Sequence, residues 1–299
     1  MVNLVNHPDL FDQSAFYSVT PFSAQLLKWI GNKQRFAHEI IRAFPSSFDR
    51  YHEPFLGSGA VIGTLAPTHG YGSDVFKPLI EIWQTLHSNP ERLVDWYRER
   101  YELVETLGKD RAYETVRNSY NLHSNGADLL FLSRACYGGV VRFRKTDGHM
   151  STPCGIHAPI SPQSFKRRAD EWHRRTRGVQ FRNLDYREAM REAKRDDLVY
   201  CDPPYSNSQT ILYGAQAFSL TDLFEEIERC KARGVFVALS IDGSKKSGTQ
   251  HVEITPPIDL FANEYFVNCG RSMLRRFQMG GQTLEGEVVA DRLLTTYQM

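Results

Sequence analysis

The apolar run Leu198-Val199-Tyr200-Cys201 leads straight into Asp202-Pro203-Pro204-Tyr205, and no regular element crosses that junction. Proline has no N–H and a fixed φ, so the pair ends both a strand ladder and a helix. What is left is a rigid corner at the C-terminal end of a strand, the end at which open α/β sheets hold their ligands. The corner offers an anionic acceptor, carbonyls with no competing N–H, and a flat ring. Such a set suits a planar base gripped by its exocyclic amine. A plain proline-rich turn has the same residues, and the tetrapeptide alone does not choose.

The rest of the chain alternates in the manner of an α/β fold. Residues 51–55 read as a short strand, followed by Gly57-Ser58-Gly59 and an apolar helical stretch at 60–65. A second strand at 70–74 ends in an acid. From 78 to about 132 the pattern is wholly helical and rich in aromatics, and 137–155, with Gly-Gly, Asp-Gly and Thr-Pro, reads as a hairpin or loop. Strand signals return at 179–182, 198–201, 235–240 and 292–297. Leu220, Leu223, Phe224, Ile227 and Cys230 mark one face of a helix that Ser219 is placed to cap. This order predicts one doubly wound sheet carrying an inserted lobe. The expected catalytic domain takes residues 20–76 and 161–299, and the insertion takes 77–160.

Size and composition allow this. With 299 residues, 41% of them hydrophobic, the chain can bury one large domain, or a domain plus an insertion. No run of 18 apolar residues occurs, so no membrane span is expected. Residues 1–16 lack the basic-then-apolar order of a signal peptide. Five cysteines form no C-x-x-C pair and are odd in number, which argues for reduced thiols in a cytoplasmic protein and against zinc.

Net charge is only +1, yet it is unevenly spread. Between Arg134 and Arg182 there are 11 Lys/Arg and three acids, about +8, so the remainder is about −7. Concentrated positive charge on an otherwise acidic chain is the footprint of a phosphate backbone, with a solvated helix face at 166–177 as the competing reading.

Glycines after the first strand let a ligand approach the backbone and lead into a helix N-terminus. The loop lacks the third glycine of a dinucleotide fingerprint and the Gly-Lys-Ser/Thr of a P-loop. Glu53, four residues before the glycines, suits a ligand with amine or hydroxyl donors, and Asp74 stands where a ribose-binding carboxylate is expected.

Taken together, these pieces resemble a family. Leu27-Lys28-Trp29-Ile30-Gly31-Asn32-Lys33, then Glu53-Pro54-Phe55-Leu56-Gly57-Ser58-Gly59, then Asp202-Pro203-Pro204-Tyr205 follow the order of the Dam-like DNA adenine-N6 methyltransferases (D12 class, alpha group). In the insertion, Phe131-Leu132-Ser133-Arg134-Ala135-Cys136-Tyr137-Gly138-Gly139-Val140-Val141-Arg142-Phe143 resembles the family's Tyr-Asn-Gly-Leu-x-Arg hairpin, and Leu184-Asp185-Tyr186 its Asp-Phe/Tyr pair. The resemblance runs from about Ser23 to Tyr297 and implies a seven-stranded S-adenosylmethionine-dependent methyltransferase sheet with an inserted helical target-recognition lobe.

The resemblance further implies S-adenosylmethionine as methyl donor, S-adenosylhomocysteine as product and no metal. Trp29, Lys33 and the loop of Glu53, Pro54, Phe55, Gly57, Ser58 and Gly59 would contact the methionine part, Asp74 the ribose, and Asp185 with Tyr186 the adenine. Asp202, Pro203, Pro204 and Tyr205 would carry the transfer, Asp202 also bordering the donor. The Asp202 carboxylate and Pro203 carbonyl would each accept one amine hydrogen, turning the nitrogen lone pair towards the sulfonium. Tyr205 would stack on the base.

An adenine inside a duplex is reached only by base flipping. Residues 137–155 are the expected wedge and reader: Tyr137 to support the emptied stack, Arg142 to read guanine, Arg144 and Lys145 to touch phosphates. Arg174, Arg175 and Arg177 would add salt-sensitive affinity. The family usually has Asn at the position of Gly138, so GATC is not implied as the recognised sequence. Expected partners are double-stranded DNA and, in a restriction–modification system, a cognate restriction endonuclease. The expected setting is cytoplasmic and nucleoid-associated in a bacterium or phage, with no membrane partner. The residues leave open another amine as substrate (cytosine N4, an RNA adenine, a protein glutamine amide) and a catalytically silent DNA-binding protein on the same fold. Asp at the head of the tetrapeptide and the hairpin favour adenine in duplex DNA.

Overall fold

The structure is a computed structural model that describes residues 17–204, 218–245, 250–251, 255–270 and 289–298. Tyr205 and the rest of 205–217 lie outside the described residues.

Seven strands form the main path of one sheet. In chain order they are β1 (Tyr51–Glu53), β2 (Gly70–Ser73), β3 (Val179–Arg182), β4 (Leu198–Cys201), β5 (Phe236–Lys245), β7 (Asn263–Gly270) and β8 (Val289–Thr295), with a short β6 (Gln250–His251) pairing on β5. Their spatial order is β3-β2-β1-β4-β5-β8-β7. The first five in that order are parallel, and β8 and β7 add two antiparallel strands. The order reverses between β1 and β4, whose register is Tyr51↔Leu198 and His52↔Val199. That is the topological switch point, where a cleft opens beyond the strands' carboxyl ends.

Strand β4 shows why its sequence is apolar throughout. Leu198 and Tyr200 join a core on one face of the sheet, Val199 and Cys201 a second core on the other. With both faces covered, alternation has no polar partner to show. On the second face lie α8 (Tyr186–Arg191) and α9 (Leu220–Ala232). Asp185 caps α8 with Glu188 in a reciprocal capping box, and Ser219 caps α9 as expected. The first face is covered by α1 (Ala37–Arg42) and α2 (Ala60–Leu65).

Between β2 and β3 come α3 (Lys77–Ser88), α4 (Pro90–Leu107), α5 (Lys109–Leu122), α6 (Gly126–Ala135) and α7 (Pro162–Arg175). Helix α3, at the head of the expected insertion, packs on the sheet: Trp83 stacks on Phe181 at 5.4 Å, and Gln84 Nε2 donates to the Phe181 carbonyl at 2.9 Å. Trp172 of α7 meets Trp83 at 5.2 Å and Phe22 at 5.1 Å, and its indole N–H donates to the Ala24 carbonyl at 2.8 Å. The helical block and the sheet thus share one core.

Several sequence expectations differ in detail. β1 stops at Glu53 because Pro54 has no N–H for the ladder. The last strand is Val289–Thr295 rather than 292–297, and its partner β7 was not anticipated. Residues 137–155 are not a hairpin of two continuous strands. They form a loop closed by two bridges, Cys136↔Cys154 and Phe143↔Met150. Gly138 and Gly139, at φ of 65° and 68°, break the outgoing limb, and Gly148 at 70° turns the tip.

At the end of β1 and β4 away from the cleft, Asp197 ties the two strands. It accepts from Arg50 Nε and Nη2 at 3.0 and 2.7 Å and from Lys194 N–H at 2.8 Å, and meets His52 Nε2 at 3.1 Å. Burial would raise the Asp197 pKa, but these partners outweigh it and hold it below the usual range.

The α2–α7 contact leaves no room for a side chain at Gly63. A Cβ on Gly63 would lie 2.2 Å from Trp172 Cζ3. Gly63→Ala is therefore expected to destabilise the protein by about 1–3 kcal/mol despite alanine's better helix propensity. Urea denaturation of both proteins checks this; an unchanged midpoint would contradict it.

Candidate active site

A cavity of about 310 Å³ opens at the switch point. Its walls come from five places: residues 29–33, the β1–α2 loop, Asp74 to Phe76 after β2, the start of α8, and the end of β4 with Phe218. Trp29, Lys33, Glu53, Pro54, Phe55, Gly57, Ser58, Asp74, Asp185, Tyr186 and Asp202 all line it, as does Pro204. Gly59 instead shapes the turn beside it. Pro203 is not among the lining residues, and Tyr205 is outside the described ones.

The glycine loop is built for close approach. Gly57 has φ +47° and Gly59 φ +63°, conformations that side-chain-bearing residues rarely adopt. A Cβ on Gly59 would press on Trp83 at 3.0 Å. The Gly57 N–H donates to Asp74 Oδ2 at 3.2 Å and its carbonyl accepts from Trp83 Nε1 at 3.3 Å. Phe76 N–H donates to Asp74 Oδ1 at 3.0 Å. Burial pushes the Asp74 pKa up against these donors.

Glu53 points into the cavity from the end of β1 and is 3% exposed. Its Oε2 accepts from Tyr51 OH and from Ile62 N–H, both at 2.9 Å. Burial pushes its pKa up to about 8; the Tyr51 and Ile62 hydrogen bonds oppose the rise, and the charge of Asp202 adds to it. Lys33 is buried rather than solvated, with its Nζ 3.1 Å from Asp202 Oδ1. The ammonium thus balances a carboxylate in a wall that already holds three others, Glu53, Asp74 and Asp185.

On the far side, Phe55 stacks on Tyr186 at 5.1 Å and 26°, and Phe218 meets Phe55 edge-on at 5.8 Å. The Arg187 guanidinium lies 4.6 Å from the Tyr186 ring centre, with Nη2 2.5 Å from Asp222 and Nη1 3.4 Å from Asp185. Nothing in the sequence pairs Arg187 with Asp222: 35 positions separate them, and only the packing of α8 on α9 joins them. The Lys33–Asp202 pair was equally hidden, since both residues were singled out but not as partners.

The expected DNA-facing residues divide. Arg142, Lys145, Arg174 and Arg177 are exposed, and Tyr137 and Gly138 half-buried. Arg144 is exposed but engaged within its own loop tip, 2.6 Å from Asp147. Arg175 differs from the expectation of a solvent-facing cation. Its guanidinium sits 4.1 Å over the Phe22 ring and donates to the Gly63 carbonyl at 3.2 Å, so it bolts α7 to α2. Arg134 is also structural, buried and donating to the Gln25 and Leu26 carbonyls at 3.0 and 2.8 Å; burial lowers its pKa to about 10. The basic segment is thus partly internal, which a charge count along the chain does not reveal.

Residues 29–248 match the family described as D12 class N6 adenine-specific DNA methyltransferase. The chain belongs to this family. It is therefore an adenine-N6 DNA methyltransferase, and membership implies S-adenosylmethionine as the methyl source. The methyltransferase is 24% identical over 238 residues to the Type II methyltransferase M1.LlaDCHI of Lactococcus lactis subsp. cremoris, covering 73% of this chain and 80% of that one. It is 28% identical over 190 residues to the retron Ec67 DNA adenine methylase of Escherichia coli (61% and 64%) and 26% over 228 residues to the DNA adenine methylase of Vibrio cholerae (72% and 79%). Among its described residues no helix is long and apolar enough to cross a membrane.

Glu53 gives a pH test. Its folded pKa of about 8 lies above the ordinary 4.5, so its contribution to stability is complete below 4.5 and is lost as pH rises through 8. The ligand-free methyltransferase should melt at progressively lower temperature between about pH 4.5 and 8, and Glu53→Gln should flatten that slope. Parallel slopes in the two proteins would show that Glu53 titrates normally.

Proposed function

We propose that the methyltransferase holds S-adenosylmethionine in the switch-point cavity and methylates a flipped adenine of duplex DNA, within a specific sequence, at Asp202. The observation that carries this is the Asp202 carboxylate: anchored by Lys33 at 3.1 Å, it opens onto the same cavity as Glu53, Asp74 and Tyr186. An acceptor for the target amine and acceptors for a donor molecule thus share one enclosed space.

The residues fit the donor by their chemistry. Glu53 is an acceptor for an ammonium, and a bound cation beside it would favour its ionised form. Each Asp74 oxygen takes a backbone N–H and keeps a second lone pair for a ribose hydroxyl. Gly57 leaves open the space a side chain would fill under Trp29. Asp185 can accept from an adenine amine beside the Tyr186 and Phe55 rings. When bound, the donor supplies an electrophilic methyl group on a sulfonium.

The work of the chain is positioning. Lys33 orients Asp202, and Asp202 and the Pro203 carbonyl each accept one hydrogen of the adenine amine. The nitrogen is thereby biased towards tetrahedral geometry, with its lone pair turned into the cavity. Pro204 keeps the corner rigid, and Tyr205 is proposed to stack on the base. After transfer the nitrogen is cationic and acidic, so Asp202 needs no raised basicity to take its proton. S-adenosylhomocysteine is the co-product. Tyr137 and Gly138 are proposed at the emptied stack and Arg142 at a guanine, with Arg144, Lys145, Arg174 and Arg177 along the phosphates.

Methyl transfer from tritium-labelled S-adenosylmethionine to duplex DNA tests the assignment. Asp202→Ala should abolish incorporation while donor binding persists. Incorporation at the wild-type rate would remove Asp202 from the chemistry. Arg142→Ala should relax preference at one G·C pair by about 1–3 kcal/mol. An unchanged preference would show that the loop does not read sequence through this side chain.

A further inference from the structure

Helix α5 presents Lys109, Tyr113, Arg117 and Asn121, four residues apart, as one stripe. That stripe runs along the backbone of residues 150–156, the returning limb of the 137–155 loop. Lys109 Nζ donates to the Gly155 carbonyl at 2.6 Å and the Ile156 carbonyl at 3.0 Å. Tyr113 OH donates to the Thr152 carbonyl at 2.7 Å, and Arg117 Nη1 reaches the same oxygen at 3.3 Å. Asn121 makes two bonds to one residue: its Oδ1 accepts from Met150 N–H at 2.7 Å and its Nδ2 donates to the Met150 carbonyl at 3.2 Å. The side-chain amide does for Met150 what a neighbouring strand would do.

The held limb in turn holds Arg142. Met150 pairs across the loop with Phe143. Thr152 Oγ1 donates to the Val140 carbonyl at 2.7 Å and accepts from Arg142 N–H at 2.9 Å, while Ser151 N–H donates to the Arg142 carbonyl at 2.9 Å. Both backbone groups of Arg142 are therefore fixed by a segment that α5 fixes, and its side chain is left exposed.

We infer that α5 sets the register of the reading loop, with Asn121 and Tyr113 as positioning residues for sequence discrimination; this rests on the proposal that Arg142 reads a base. A bidentate guanidinium contact needs both donors in place on O6 and N7, so a small shift of the Arg142 backbone forfeits it. Phosphate contacts position without reading sequence, and they tolerate such a shift. Loosening α5 from the limb should therefore cost discrimination and spare non-specific DNA affinity.

The test is kcat/KM for methyl transfer on the cognate duplex and on duplexes with single base-pair changes. Asn121→Ala should lower discrimination at the Arg142-dependent base pair by about tenfold, the lower part of the range for a bidentate contact. Its donor KM and its affinity for non-specific DNA should match wild type, and it should add little when combined with Arg142→Ala. Full discrimination in Asn121→Ala, with loss in Arg142→Ala, would overturn the inference and leave the reading of the loop standing. Full discrimination in Arg142→Ala would remove both. An Asn121→Ala effect spread evenly over all base pairs would mark a merely structural role. Should Asn121→Ala fail to fold, Tyr113→Phe, which loses one hydroxyl, is read by the same criteria.

Discussion

Two strands that both run out at prolines lie side by side, and the molecule is arranged around that fact. β1 ends at Glu53-Pro54 and β4 at Asp202-Pro203-Pro204, and neither can continue its ladder. The chain must diverge there, β1 into the glycine turn and β4 into the Asp202 corner, and the cleft between them is the cavity. At the opposite end Asp197 clamps the same pair through Arg50 and His52. One end is pinned so that the other can open without slipping in register.

The cleft concentrates negative charge. Glu53, Asp74 and Asp202 face one small space, and Lys33 is the buried cation set against them. Burial, with the charge of Asp202 adding to it, pushes the Glu53 pKa up to about 8 in the ligand-free protein, and under the proposed reading a bound cation would favour its ionised form. Membership of the family implies a ligand of that charge, S-adenosylmethionine, as the methyl source.

The 137–155 loop follows a different logic. Two bridges alone would leave a 19-residue segment weakly defined. Its definition comes from outside, through side-chain donors on α5 that bond its carbonyls one after another. Phe143 extends the same support inward, meeting Phe76 at 5.6 Å, and Phe76 in turn lines the cavity. The loop and the cavity are thereby parts of one packed structure.

Much of this was legible in the chain itself. Pro203-Pro204 dictates a corner whatever surrounds it, because φ and the missing N–H are local properties. Gly57 and Gly59 mark a turn at positive φ, and Ser219 marks a helix start, for similarly local reasons. The strand signals anticipated the parallel strands and β8 but not β7, and the motifs singled out many of the residues that line the cavity. Tertiary structure alone decided which charges meet. Lys33 and Asp202 are 169 positions apart in the numbering, and Arg187 and Asp222 sit on different helices. The same holds for Arg134 and Arg175, which count as surface charge in the sequence and act as internal bolts in the fold. Periodicity and turn chemistry report on a residue's neighbours in the chain. The partners of a long charged side chain depend on which distant elements are packed against it.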